Sequence, residues 1–320
     1  MPARTIVLDV DTGTDDALAL LYAVGHPDLT IAGISCVAGN ASLEQVVANT
    51  HKTLDAAGAA DVPVAAGARK ALIERAQEES AFHGEDGLAG IALPDTARTV
   101  SRLTAVELLR QQIVGADSPV TLVGLAPQTN LAMLLTLHPE VADHLERIVF
   151  MGGSASVGNV TAVAEFNVWL DPEAATCVVE SGIPTAMYGL DVFSRLTIPE
   201  QHARRWAASE QPAQRLVGEL LLRRGARADG LSEQEYVGGI GDAGALVFLT
   251  HPELFTVEEH PVRVDLAGLG RGQTVVDRRP IAYDVRARSA DPWQTLEVVL
   301  DLDVTQAAQA FTAVVDAYAA

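Results

Sequence analysis

Val7-Leu8-Asp9-Val10-Asp11-Thr12-Gly13-Thr14-Asp15-Asp16 sets Asp9, Asp11, Asp15 and Asp16 at the end of an apolar run. Thr5-Ile6-Val7-Leu8 is β-branched and apolar on both alternating faces, the pattern of a strand covered on both sides in a parallel sheet. Asp9 and Asp11 then fall at its carboxyl end, on one face by the period of two. Thr12-Gly13-Thr14 supplies a turn and an N-cap candidate for a helix running from Asp15 to Leu21. The crevice beyond strand carboxyl ends is where open α/β sheets bind ligands. Asp15 and Asp16 would favour a first helical turn through the macrodipole alone, but that leaves Asp11 unaccounted for. Converging carboxylates raise one another's pKa, and a hard divalent cation with oxygen ligands, Ca²⁺ or Mg²⁺, removes the conflict.

Two other acidic motifs share parts of this pattern. An EF-hand loop needs Gly at its sixth position and Glu at its twelfth; from Asp9 these are Thr14 and Leu20, and from Asp11 they are Asp16 and Tyr22. Neither register fits. Asp-x-Asp after a first strand also suits phosphatases with an aspartyl nucleophile, Asp9 attacking and Asp11 serving as the acid. Those enzymes need a downstream lysine, whereas Lys52 and Lys70 are the only lysines and Gly241-Asp242 lacks a second acid close behind. The phosphatase remains the weaker enzymatic alternative.

The rest of the chain keeps an α/β rhythm. Strand-like runs at 30–37, 63–66, 120–124, 147–151 and 184–188 alternate with helical ones at 43–57, 103–114, 129–137 and 172–181. A helical stretch over 200–224, inside a cap or lid at about 195–240, precedes strands near 262–266 and 273–276 and a closing amphipathic helix over 303–320. No linker composition divides the chain. The expectation is one domain over 1–320, a mainly parallel central sheet flanked by helices, Rossmann-like and open, with a helical cap region. Residues 163–170 alternate like a strand with Glu165 and Asn167 on one side, which alone reads as a solvated edge. His26, His138 and His251 each precede a proline after an apolar helical run, as helix stops do. His83 instead lies in a Gly-containing loop, Phe82-His83-Gly84-Glu85-Asp86-Gly87, which a scaffold could place over a pocket.

A net charge of −20 argues against nucleic-acid or anionic-membrane partners, because there is no basic footprint to neutralise phosphates. Cys36 and Cys177 fall in separate apolar stretches, as lone thiols in a reducing compartment do. Without a signal-peptide core at Met1-Pro2-Ala3-Arg4, a cytoplasmic location is expected.

Asp9-Val10-Asp11-Thr12-Gly13-Thr14-Asp15-Asp16-Ala17 closely resembles the N-terminal signature of the inosine–uridine-preferring nucleoside hydrolases, D-x-D-x-G-x-D-D-A. Further matches follow in order: Val37-Ala38-Gly39-Asn40, His83-Gly84 with Gly87-Leu88, Thr129-Asn130-Leu131-Ala132, Met151-Gly152-Gly153, Asn159 with Ala164-Glu165-Phe166-Asn167, Asp171-Pro172-Glu173-Ala174, Asp242, and Arg271 to Asp277. Each is weak alone; together they are specific and span nearly the whole chain.

The resemblance implies hydrolysis of the N-glycosidic bond of a ribonucleoside to ribose and free base. It implies one Ca²⁺ per chain on Asp11, Asp16, Asp242 and the backbone carbonyl of Leu125, with a water activated by Asp11 as general base. By the same likeness Asp15, Asn40, Asn159, Glu165 and Asn167 would address the ribose hydroxyls or the water, and Met151 and Phe166 would line the sugar's apolar side. A homodimer or homotetramer is implied too. Many relatives carry His just before the last metal-binding Asp, where it is linked to protonating the departing base; here that residue is Gly241. His83 and Tyr236 are the base-side candidates, with the Arg223, Arg224 and Arg227 cluster behind them. The missing imidazole also keeps open a non-enzymatic alternative, a weakened relative that binds nucleosides or ribose without turnover.

Overall fold

The computed structural model describes residues 3–59, 61–74, 84, 86–225, 236, 238–280 and 293–318. His83 and Arg227, and the side chain of Arg224, lie outside these residues.

The first strand, β1 (Arg4–Val10), is the one the sequence announces. Ile6, Leu8 and Val10 are buried in one core cluster and Val7 in another, so the strand is covered on both faces. Removing such a side chain, as in Leu8→Ala, costs about 2–5 kcal/mol through lost burial and the cavity left behind. After β1 come α1 (Thr14–Gly25), β2 (Leu29–Cys36), α2 (Leu43–Ala56), β3 (Val64–Ala66), α3 (Ala105–Val114), β4 (Val120–Gly124), α4 (Thr129–Leu137) and β5 (Leu145–Met151). Then follow α5 (Phe166–Leu170), α6 (Pro172–Val179), β6 (Thr185–Tyr188), α7 (Leu190–Phe193), α8 (Glu200–Ala207), α9 (Pro212–Gly225) and α10 (Ala243–Thr250). The chain ends with β7 (Phe255–Val264), β8 (Thr274–Val276), β9 (Gln294–Leu302) and α11 (Val304–Ala317).

The described strands form one nine-stranded sheet in the order β3-β2-β1-β4-β5-β6-β9-β7-β8. It is parallel from β3 through β9, and β7 and β8 add an antiparallel edge. The fold is therefore a single α/β domain with a mostly parallel central sheet. The chain steps outward from β1 to β2 and β3, then returns to β4 on the other side of β1. That reversal opens a crevice at the carboxyl ends of β1 and β4, where such sheets take ligands. Helices α8 and α9 pack on each other, and α9 also touches α1, α2 and α11.

The structure differs from the sequence expectation in several places. Residues 166–170 are the short helix α5 rather than a strand, and Glu165 is its N-cap. The N-cap of α1 is Gly13, within the expected turn, and the Asp16 side chain, three residues on, turns back to accept from the Gly13 N–H at 3.0 Å. Strand β7 begins seven residues before the expected 262, and β9 lies where no strand was read. His26, His138 and His251 do stand at helix ends, as the C-caps of α1, α4 and α10.

Candidate active site

β1 ends at Val10, so Asp11 leaves the sheet while Asp9 stays inside it. Asp9 is wholly buried, with Oδ1 accepting from Ser35 Oγ at 2.5 Å and from Asn130 Nδ2 at 2.8 Å. Burial pushes its pKa up to about 7 against those two hydrogen bonds. Held within the sheet by Ser35 and Asn130, Asp9 acts as a link between elements. Asn130 also donates to the Cys36 carbonyl and accepts from Ala68 N, so it ties the ends of β1 and β2 to the start of α4.

Asp11, Asp15 and Asp16 follow within the tight turn into α1, all buried. Asp11 Oδ2 accepts from the Asn40 backbone N–H at 2.8 Å. The Asn40 amide nitrogen reaches Asp11 Oδ1 and Asp16 Oδ2, each at 3.2 Å, so this side chain clamps two acids together. Asp16 Oδ1 accepts from the Asp11 N–H at 3.2 Å. Asp11 is raised well above the usual carboxylate range, by burial first and by the Asp16 charge second. Asp16 is raised to about 7 by burial and by Asp15. Gly39 is what lets Asp11 stand here, because a Cβ at that position would overlap Asp11 Oδ2.

Across the crevice Asp242 begins α10 and is also buried. Carboxylate oxygens of Asp15, Asp16 and Asp242 all lie within 4.8 Å of one another, with Asp11 bonded alongside. Buried hard oxygen donors at that spacing fit a divalent cation. The grouping adds Asp15, which sequence reading gave to the sugar, to Asp16 and Asp242. Tyr188, at the carboxyl end of β6, has its phenol pushed up by burial and by the Asp242 charge. A Cβ on Gly244 would overlap its hydroxyl, so the start of α10 lies directly on that ring.

A second group of residues forms the adjoining floor. Glu165 caps α5 and takes three backbone N–H donors: Asn167 at 2.9 Å on Oε1, with Gly153 at 3.0 Å and Val168 at 3.2 Å on Oε2. Burial raises it to about 7 against these donors. Asn167 Nδ2 reaches the Leu125 carbonyl at 3.1 Å and the Met151 carbonyl at 3.3 Å, which draws α5 onto the ends of β4 and β5. Phe166 is half-buried beside it. Asn159 sits on an exposed loop whose backbone closes on the Ala164 carbonyl. Tyr236 lies against Gly238, where a Cβ would meet its hydroxyl at 2.6 Å. Arg223 donates to the carbonyls of Ala89 and Gly90 and so ties the end of α9 to that loop. Gly241 stands at φ +55, in the left-handed region that disfavours a side chain.

The chain matches the family model described as inosine-uridine preferring nucleoside hydrolase over residues 6–309. It belongs to that family. A pyrimidine-specific ribonucleoside hydrolase RihA of Shewanella oneidensis is 41% identical over 280 residues, covering 85% of this chain and 86% of that protein. A RihA of Escherichia coli is 40% identical over 283 residues, covering 86% and 89%. Among solved structures, a purine-preferring ribonucleoside hydrolase from Gardnerella vaginalis superposes with a TM-score of 0.89 at 29% identity, over 99% of both chains. An inosine-guanosine nucleoside hydrolase gives 0.87 at 27%, over 98% of this chain and 99% of that one. This nucleoside hydrolase is thus an N-ribosyl hydrolase of ribonucleosides, and neither the phosphatase nor the non-enzymatic alternative stands.

Sequence reading missed several residues of the nucleoside hydrolase's site. Ser35 and Asn130 hydrogen-bond to Asp9, Gly39 leaves room for Asp11 and Thr274 hydrogen-bonds to Ser154; all but Ser35 fall within the stretches that match the family. No helix among the described residues is long and apolar enough to cross a membrane.

Proposed function

We propose that this chain is a Ca²⁺-dependent hydrolase of pyrimidine ribonucleosides, with Asp11 as the general base. The observation that carries the reading is the set of buried carboxylates at the β1/β4 crevice, Asp15, Asp16 and Asp242 within 4.8 Å of one another beside Asp11. Asp11, Asp16, Asp242 and the Leu125 carbonyl would hold the ion. When bound, Ca²⁺ supplies a site for two sugar hydroxyls and lowers the pKa of a neighbouring water.

The protein's own part follows from the geometry. Splitting the C1′–N bond develops positive charge on the sugar ring, which a row of acids beside the bound sugar would stabilise. Asp11 is positioned by Asn40 on both oxygens and takes the proton of the attacking water at its carboxylate. Asp15, Glu165 and Asn167 address the hydroxyls, with Asn40 and Asn159 completing the sugar's polar contacts and Met151 and Phe166 its apolar side. The pyrimidine preference rests on the relatives near 40% identity and not on the geometry. Association as a homodimer or homotetramer, checked by light scattering, belongs to the same reading.

Release of reducing sugar from a panel of nucleosides tests the proposal. Uridine and cytidine are expected to be hydrolysed faster than inosine. Their 2′-deoxy analogues should fall at least ~10²-fold in kcat/KM, because a buried site built for a hydroxyl is left with unpaired groups. Equal rates for ribosides and 2′-deoxyribosides contradict it.

With Gly241 in place of an imidazole, a riboside of nitrophenolate, which leaves without a proton, should outpace uridine by ~10²–10⁴-fold, the usual worth of a general acid. Equal rates would assign the proton to another residue, and His83 and Tyr236 are the first to substitute.

A further inference from the structure

Thr274, the first residue of β8, is 3% exposed and lies 120 residues along the chain from the loop it holds. Its hydroxyl accepts from Ser154 N at 2.8 Å and donates to the Ser154 carbonyl at 2.8 Å, so both backbone polar groups of one residue are closed by one side chain. Gly153, just before it, stands at φ +69, and a Cβ there would meet Thr274 Cγ2 at 2.6 Å and Oγ1 at 2.7 Å. The N–H of Gly153 points at Glu165 Oε2, 3.0 Å away. Its carbonyl accepts from Leu190 N at 3.0 Å, which pins the peptide from the other side. Two residues before Thr274, Gly272 runs against the turn that carries Glu165: a Cβ there would meet Trp169 Cα at 2.9 Å and Ala164 Cβ at 3.3 Å. The strand at the far edge of the sheet and the turn that leads into it therefore touch both the donor that Glu165 needs and the turn that presents Glu165.

We infer that Thr274 is a positioning residue for sugar recognition: through Ser154 and Gly153 it fixes the N–H that orients the Glu165 carboxylate. The inference rests on the proposed role of Glu165 at the ribose. Replacing the hydroxyl by a methyl strands the buried N–H and carbonyl of Ser154, and the loop must move to find other partners. The Glu165 side chain loses its aim and the Ca²⁺ ligands do not.

A double-mutant cycle in the full-length, Ca²⁺-loaded enzyme tests this, with uridine kinetics and Ca²⁺ affinity as readouts. Thr274→Val should raise KM by ~10-fold, with kcat within about threefold of wild type, while Thr274→Ser, which keeps the hydroxyl, stays within about threefold in KM. In a Glu165→Gln background the valine change should add less than about twofold, because its effect passes through that carboxylate. Ca²⁺ affinity should be unchanged throughout. If the valine variant does not fold, Thr274→Ala takes its place in the cycle with the same expectations. A Thr274 variant that behaves like wild type while Glu165→Gln is impaired overturns this inference alone, as does a loss that adds fully to that of Glu165→Gln. A Glu165→Gln enzyme with unaltered KM overturns the inference together with the role of Glu165 on which it rests.

Discussion

Asp16 and Glu165 are both buried carboxylates pushed up to about 7, yet they are held in different ways. Asp16 stands in a crowd of like charge, with Asp15 raising it further and Asp11 bonded beside it. Glu165 stands at the start of a short helix with three backbone N–H groups on its two oxygens. The first arrangement suits a cation, which would relieve the repulsion that the raised pKa values otherwise meet by protonation. The second is completed by its own backbone, as a helix cap is. On the proposed reading one corner holds the metal and the other meets the sugar's hydroxyls, and substitutions should separate the two.

The largest effect belongs to the metal corner. Asp11→Asn keeps the shape but removes the base and weakens a proposed ligand of the ion, so kcat should fall by ~10²–10⁴-fold and Ca²⁺ affinity should drop with it. A variant with near-normal kcat would assign the base elsewhere. Gly39→Ala comes next: the added methyl overlaps Asp11 Oδ2 and must displace it, and a small misplacement of a reacting group costs about 10²-fold in kcat/KM. A protein that melts normally and yet turns over normally would show that Asp11 has another place to go.

Glu165→Gln tests the other corner. It should raise KM for uridine by ~10-fold while leaving Ca²⁺ affinity unchanged, and a parallel loss of Ca²⁺ binding would erase the distinction between the corners.

The smallest effect is a pH dependence. Asp9, Asp11, Asp16 and Glu165 all have folded pKa values raised above the ordinary range by burial. Such groups add stability that is fully present below their unfolded values, near 4, and lost as pH rises through about 7. Metal-free protein should thus melt at a lower temperature at about pH 8 than at about pH 5, and the gain on adding Ca²⁺ should be larger at the higher pH. An equal gain at both would mean that the acids are not the groups the ion relieves.

Much of the metal corner was legible because it is local. Asp11, Asp15 and Asp16 sit in one turn after one strand, and an apolar run followed by dense like charge carries its own physical reason. β1 stops at Val10, so Asp11 is placed by the turn into α1 and by Asn40 rather than by strand alternation alone. Glu165 was misread. A five-residue helix has too few turns to show a period, and Glu is not among the usual capping residues, so residues 163–170 looked like an edge strand. β9 did carry a signal in Leu296, Val298, Leu300 and Leu302, but its pairing with β6 and β7 is set by chain far away. Ser35 on Asp9, Asn130 across 121 residues and Thr274 across 120 follow from the assembled sheet; Asn130 and Thr274 fall within the family matches, but nothing local tells what they bond to. The parallel sheet itself was plain from the rhythm of elements, because each strand and its covering helix are coded within one short stretch.

The central claim is that the buried acids at the β1/β4 crevice work only around a cation. Stripping the protein with a chelator, confirming the absence of metal by elemental analysis and then titrating Ca²⁺ while following uridine hydrolysis tests it most directly. The account predicts a folded, inactive protein whose activity returns at about one Ca²⁺ per chain. Full activity in the demonstrably metal-free protein would contradict it.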